Sequence, residues 1–279
     1  MGMLAQFRGC LLGLAIGDAL GAPVEFDKLT AIRARFGPDG ITDLIPWHSL
    51  PAGAYTDDTQ MTLATIRGML AAHAAGEPLA GEGWTVAVYR AYLDWLKTQD
   101  DPAQRRAPGN TCLGALQSGK MGRLDAALNY SKGCGGVMRT APVGLAFRGA
   151  EAFRQGAEFA VITHGHPSGY LSAGFMAELI GHLLDGASLD EGLDRSSETL
   201  RIYAGHEETL HKVAQARALA GNGTAIDPAI REIGEGWVGE EALGVAIFCS
   251  LRFPDDCWTN RRLGWMWWQS SASGRRSGA

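Results

Sequence analysis

Residues 4–20, with the sequence LAQFRGCLLGLAIGDAL, carry apolar side chains at three- and four-residue spacing, which predicts a helix. Small residues are frequent in this segment, and each internal glycine lowers helix propensity by roughly 1 kcal/mol. A helix of this composition forms where neighbouring elements pack against its backbone. We therefore expect it to lie centrally in the fold.

The same spacing recurs along most of the chain, and a convincing alternating pattern of the kind that predicts strands is absent. The best strand candidate is short, at residues 41–45. Clusters of glycine and proline separate the apolar segments. Further helices are predicted at residues 58–75, 84–98, 110–118, 151–163, 168–185, 190–203, 207–220 and 239–252. The sequence thus predicts an all-α fold with little or no β structure.

Composition limits the class of protein. The chain has 279 residues, of which 46% are hydrophobic and 20% charged, with a net charge of −5. These values predict a compact single domain with a sizeable core, and they argue against a disordered or a membrane protein. No basic stripe is present, so nucleic acid is not expected as a partner.

The apolar N-terminal run is interrupted by Gly13, Gly17 and Asp18, which favours a buried first helix over a secretory signal. The five cysteines are odd in number and form no CxxC pair. This pattern is typical of reduced thiols, so we expect a cytoplasmic protein.

The most distinctive polar cluster is Thr56-Asp57-Asp58-Thr59, where a turn leads into a predicted helix. As a purely structural feature it would be a helix cap with acids at the positive end of the helix dipole. As a functional feature it offers carboxylate and hydroxyl oxygens, which hard cations such as Mg²⁺ prefer. Both interpretations are open at this point.

Other segments have the chemistry of a site. Glu25 follows an apolar, glycine-rich turn, where a general acid or base and an ordinary surface glutamate are both compatible with the sequence. Residues 131–139, SKGCGGVMR, place three glycines before a predicted helix, and the exposed N–H groups of such a loop and helix N-terminus suit an anion cradle. Within this segment we favour a packing role for Cys134 over a nucleophilic one. His164 lies in a loop between two predicted helices and could orient a substrate.

Four segments together resemble the ADP-ribosylglycohydrolase family, which includes the dinitrogenase reductase-activating glycohydrolases. They are residues 9–26, 55–61, 131–139 and 163–164, with the sequences GCLLGLAIGDALGAPVEF, YTDDTQM, SKGCGGVMR and TH. Their order is the family's order, and the resemblance runs from about residue 4 to residue 256.

The resemblance implies an orthogonal helical bundle around a cleft with two Mg²⁺ ions, and hydrolysis of the bond between ADP-ribose and an acceptor such as arginine. By this resemblance, Thr56, Asp57 and Asp58 are metal ligands, the two aspartates are also catalytic, and Glu25 is an acid beside the scissile ribose. The substrate-binding residues that it implies are Ser131, Gly133, Cys134, Gly135, Gly136, Val137 and His164. The expected partner is an ADP-ribosylated protein or ADP-ribose, with no membrane, and we expect a monomer.

The chain departs from the family pattern at its C-terminal end. Family members follow the helix at 239–252 with a Gly-Gly-Asp-x-Asp motif that supplies the remaining metal ligands. Here residues 257–279 read CWTNRRLGWMWWQSSASGRRSGA, without Asp or Glu and with four of the eight tryptophans. We interpret residues 1–256 as a C-terminally incomplete family domain and residues 257–279 as an atypical tail, arising from a shifted frame, a truncated gene or an altered sequence.

Three functions are compatible with the family motifs and with this departure. The first is a magnesium-assisted hydrolase of ADP-ribosylated protein, preferably arginine-linked. The second is a catalytically impaired relative that binds ADP-ribose-like ligands, because the second metal half-site is missing. The third is a hydrolase of another small ribosyl compound.

Overall fold

The structure is a computed structural model that describes residues 2–79 and 81–254. Its α-helices are α1 (Met3–Gly21), α2 (Leu29–Phe36), α3 (Asp57–Ala74), α4 (Gly83–Thr98), α5 (Asn110–Gln117), α6 (Ala141–Ala146), α7 (Gly149–Val161), α8 (Pro167–Leu184), α9 (Leu189–Leu200), α10 (Glu207–Gly221), α11 (Ile226–Ile233) and α12 (Gly239–Arg252). Two 3-10 turns, Ala22–Val24 and Cys134–Arg139, complete the regular elements. The predicted all-α fold is confirmed for the described residues.

The strand predicted at residues 41–45 is wrong, because the backbone there is irregular. Within the described ranges, β pairing is confined to isolated bridges such as Gly133 with Val238. The sequence also gave no indication of α2, α6 or α11. These helices have only six to eight residues each, and helices this short depend on tertiary packing rather than on a long periodic pattern.

Helix α8 is the centre of the bundle and packs against α6, α7, α9, α10 and α12. Its contact with α7 is very close. A β-carbon on Gly174 would lie 2.7 Å from the carbonyl oxygen of Phe153, and one on Gly156 would lie 2.9 Å from that of Ala173. Glycine on both helices therefore allows their backbones to approach, and the core forms around this crossing.

Helix α1 is less central than its composition predicted. Its C-terminal part is buried from Gly17 onwards, whereas Leu12 and Ile16 are 60% and 52% exposed. By length and composition alone, Met3–Val24 would also be able to cross a membrane, and 33% of its most apolar stretch is buried. The prediction of a central helix is therefore confirmed only for the C-terminal part of α1, next to the 3-10 turn Ala22–Val24.

The described cysteines are all buried free thiols: Cys10, Cys112, Cys134 and Cys249. This agrees with the predicted reduced state. The atypical tail lies outside the described residues.

Candidate active site

The acid pair lies at the start of α3, as the sequence predicted. Thr56 is the N-cap, and its Oγ1 accepts a hydrogen bond from the Asp58 backbone N–H at 3.2 Å. Asp57 and Asp58 are only 2% and 5% exposed. A simple surface cap would leave these carboxylates in water, so their burial favours a functional role in addition to capping.

A third carboxylate, that of Asp18 near the end of α1, accepts hydrogen bonds from the residues of this cap. Its Oδ1 and Oδ2 accept the Thr56 N–H at 3.0 Å each, and Oδ2 accepts the Thr59 N–H at 3.0 Å and the Thr59 hydroxyl at 2.6 Å. Burial raises the pKa of Asp18 to about 6, and the bonds from both threonines act in the opposite direction. Asp18 therefore positions the acid-bearing turn.

The sequence interpretation missed Asp18. The available signal was an aspartate inside an otherwise small and apolar helical stretch, since such a carboxylate is seldom buried without a specific partner.

Asp57 is also fixed from the side of α5. Its backbone N–H donates to the Arg106 carbonyl at 2.9 Å, and its Oδ2 accepts from the Gly109 N–H at 2.9 Å. Gly109 is the N-cap of α5. The start of α5 thus joins the same site as the start of α3.

The glycine-rich segment forms the 3-10 turn Cys134–Arg139, and the ring of His164 lies directly on it. A β-carbon on Gly133 would lie 3.0 Å from His164 Nε2, and one on Gly135 would lie 2.7 Å from His164 Cε1. Gly136 instead faces α7, since its β-carbon would lie 2.8 Å from that of Ala160. These glycines consequently have a packing function, and they allow the His164 ring to lie against the turn.

The thiols in this region are not poised for nucleophilic attack. Burial raises the pKa of Cys134 well above its usual value, and the nearby Asp58 and Asp57 raise it further. Burial likewise raises the pKa of Cys112, in opposition to the Arg139 guanidinium. Helix α3, which begins with the acid pair, packs directly against this turn, and the Thr62 hydroxyl of α3 donates to the Met138 carbonyl at 3.4 Å.

Ser131 lies where this turn borders an open cavity of about 540 Å³. Its Oγ accepts from the Gly133 N–H at 3.2 Å and lies 3.3 Å from Thr111 Oγ1. Thr111, Lys120 and Asn129 also line the cavity. Hydroxyl, amide and ammonium groups therefore converge beside the glycine-rich turn.

Glu25 follows the 3-10 turn Ala22–Val24 and is only 7% exposed, so its interpretation as a surface glutamate is wrong. The preceding Val24 is fully buried and belongs to the same hydrophobic cluster as Cys134 and Val137. Glu25 is thus a buried acid that directly follows a residue of the hydrophobic core.

The donor set fits only part of the two-Mg²⁺ site that the family resemblance implies. The buried oxygens of Thr56, Asp57 and Asp58 are hard donors and fit part of the coordination shell of one such cation. Among the residues that the structure describes, no group of three or more His, Cys, Asp or Glu side chains is arranged to hold a metal ion. The described residues therefore fit half of a dinuclear site.

Comparison with known proteins gives a consistent result. The family model described as ADP-ribosylglycohydrolase matches residues 2–263. ADP-ribosyl-[dinitrogen reductase] glycohydrolase of Rhodospirillum rubrum is 31% identical over 188 residues, which cover 65% of this chain and 58% of that protein's own length. ADP-ribosylhydrolase ARH3 of Bos taurus is 26% identical over 298 residues, which cover 89% of this chain and 73% of the length of that protein.

A solved structure of an ADP-ribosylglycohydrolase-related protein complex is similar with a TM-score of 0.62 at 22% identity. The alignment covers 98% of this chain and 87% of that chain. At this identity the likeness shows the fold alone.

Proposed function

The chain belongs to the ADP-ribosylglycohydrolase family, and we propose that it hydrolyses the N-glycosidic bond between ADP-ribose and a modified protein side chain, preferably arginine. The observation that carries the proposal is the burial of Asp57 and Asp58 beside the glycine-rich turn, with Asp18 and Gly109 fixing the acid-bearing turn from two sides. The preference for arginine rests on the sequence motifs alone.

Cleavage of a C–N glycosidic bond develops positive charge on the ribose ring. Buried carboxylates that stay ionised stabilise such charge strongly, because water does not screen them. Asp57 and Asp58 would act in this way. Ser131, the turn from Gly133 to Val137 and His164 would hold the diphosphate through neutral donors.

Thr56, Asp57 and Asp58 would hold Mg²⁺, which when bound orients the ribose hydroxyls and lowers the pKa of a coordinated water. The chain itself supplies a proton-transfer group in Glu25. Its burial suits a carboxyl group that takes a proton from the attacking water at one carboxylate oxygen.

Two experiments test the proposal in sequence. The first is calorimetric titration of the protein with Mg²⁺, with and without ADP-ribose. The second is an assay of ADP-ribose release from an ADP-ribosylated arginine peptide. We expect binding that is tighter with both ligands together, and turnover that depends on Mg²⁺.

Matched variants assign the residues. Asp58→Asn should reduce Mg²⁺ affinity and turnover by at least tenfold, whereas Asp190→Asn, an exposed first-turn aspartate of α9, should leave both unchanged. Glu25→Gln should reduce turnover by about 10²- to 10⁴-fold with little change in ADP-ribose affinity. Unchanged turnover in Glu25→Gln would show that another group transfers the proton.

A second function is favoured by the incomplete donor set: a relative that binds ADP-ribose without hydrolysing its linkage. This alternative predicts ADP-ribose binding with a single weak Mg²⁺ site and no release from the peptide. If the peptide is inert but a small ribosyl compound is hydrolysed, the third function applies instead. Cytoplasmic location and a monomeric state stay predictions from the sequence.

A further inference from the structure

Arg139 is a buried cation that the proposed chemistry does not use. It is 1% exposed and lies at the end of the 3-10 turn. Its guanidinium stands 4.4 Å above the Tyr92 ring, and Nη1 contacts Met61 Sδ at 3.4 Å and Cys112 Sγ at 3.6 Å. Burial of a charge against such soft, neutral partners costs several kcal/mol. A specific contact elsewhere on the guanidinium would explain why this position carries arginine.

That contact is made by Nη2, which donates to Thr163 Oγ1 at 2.6 Å and to the Phe159 carbonyl at 3.2 Å. Thr163 Oγ1 in turn lies 2.9 Å from His164 Nδ1, and 3.5 Å from the Ala160 carbonyl. A threonine hydroxyl has one proton to donate. The distance to His164 Nδ1 is shorter than that to the Ala160 carbonyl, and the Cys112 thiol is a further, weaker hydrogen-bond partner of this hydroxyl.

Electrostatics favours the same direction. If Nδ1 carried the proton, its N–H dipole would point at an oxygen that already receives a cationic N–H group. If Nδ1 is the acceptor, its lone pair points toward the positive guanidinium, which is the favourable orientation. The proton of the neutral ring then lies on Nε2.

We propose that Arg139 and Thr163 are positioning residues that hold His164 as the Nε2–H tautomer, so that the ring donates a hydrogen bond to a ligand oxygen at the glycine-rich turn. This inference rests on the proposed function for the ligand, an ADP-ribose phosphate or ribose oxygen. Among the described residues no hydrogen bond to Nε2 is formed, and this atom lies along the turn, 3.0 Å and 3.1 Å from where β-carbons of Gly133 and Gly135 would be.

The ring also stays neutral. Burial and, secondarily, the Arg139 charge lower the pKa of His164 to about 3. At neutral pH the side chain is therefore uncharged, and its tautomer alone decides whether Nε2 donates or accepts.

Long-range ¹H–¹⁵N NMR on ¹⁵N-histidine-labelled full-length protein reports the tautomer of each of the seven histidines. A His164→Gln sample assigns the signal. We expect the ligand-free wild type to show His164 as the Nε2–H form. Thr163→Val, which removes the hydroxyl, should lower the Nε2–H population and weaken ADP-ribose binding about three- to tenfold. Thr163→Ser should restore both.

Thr65→Val is the matched control. Thr65 is equally buried. Its hydroxyl is hydrogen-bonded at 2.7 Å to the hydroxyl of Tyr92, whose ring contacts the Arg139 guanidinium. We expect this variant to keep the wild-type tautomer even if its stability falls. A His164 signal in the Nδ1–H form in the wild type, or one unchanged by Thr163→Val, would overturn the inference.

The outcomes for the tautomer and for the function are separable. A wild type with the Nε2–H form that fails to bind ADP-ribose refutes the proposed ligand and leaves the tautomer assignment supported. Binding that is unaffected in Thr163→Val despite a changed tautomer refutes the donor role of Nε2.

Discussion

Glu178 on α8 predicts a specific dependence of stability on pH. Its side chain is 3% exposed, and Oε1 accepts from the Thr199 hydroxyl at 2.9 Å. Oε2 is buried without a hydrogen-bond partner in the described part of the chain. Burial raises the pKa of this carboxyl from 4.5 to about 7. His182 Nε2 lies 3.5 Å from Oε1, and burial lowers the pKa of this histidine, so it does not supply a compensating charge at neutral pH.

Proton linkage determines whether Glu178 stabilises the fold more at low or at high pH. A carboxyl whose pKa is raised in the folded state binds more protons when folded, so its contribution is complete below pH 4.5 and is lost as the pH rises through 7. With one pKa unit worth about 1.4 kcal/mol, the loss amounts to about 2 to 3 kcal/mol between pH 5 and pH 8. Glu178→Gln removes this titration, and its amide keeps an acceptor for Thr199.

Urea denaturation of wild type and Glu178→Gln at pH 5, 6, 7 and 8 measures the difference. We expect the free energy of unfolding of the variant, relative to wild type, to increase by about 2 to 3 kcal/mol over this range. Exposed Glu198 on α9 provides the control, since Glu198→Gln makes the same charge change and should give a curve parallel to the wild type. Parallel curves for Glu178→Gln would refute the reasoning.

Three further substitutions test other parts of the structure. Gly136→Ala places a β-carbon 2.8 Å from that of an α7 alanine, and should destabilise the fold by about 1 to 3 kcal/mol in urea denaturation. Gly68→Ala on α3 should cost at least as much in thermal unfolding, because its β-carbon would lie 2.5 Å from Val88 Cα, a backbone atom of α4 that moves only with the whole helix. Asp18→Asn turns one amide N–H toward the backbone N–H of Thr56 or Thr59, and should weaken Mg²⁺ binding at least tenfold by calorimetry while the far-ultraviolet circular dichroism stays helical. Undiminished Mg²⁺ affinity in Asp18→Asn would separate this carboxylate from the metal-binding turn.

The longer helices were predictable because each buries one face, and a repeated spacing of three and four residues records that face in the sequence. The predicted and observed ranges agree for α3, where residues 58–75 were expected and Asp57–Ala74 is observed. Helices α2, α6 and α11 were not predictable in this way, although the equally short α5 was. In α6 and α11 a proline also lies near the start, where the first turn tolerates it, so a signal that usually marks a loop lay inside a helix.

The sequence by itself determined the helical class, the family motifs and the oxygen donors at Thr56, Asp57 and Asp58, because these depend on residue type and local spacing. Only the tertiary structure decided that Glu25 is buried, that Asp18 holds the acid-bearing turn, and that Arg139 and Thr163 lie behind His164. These contacts join residues 24 to 41 positions apart in the chain. Burial and hydrogen-bond partners at such separations are set by how helices pack, and no local pattern encodes that packing.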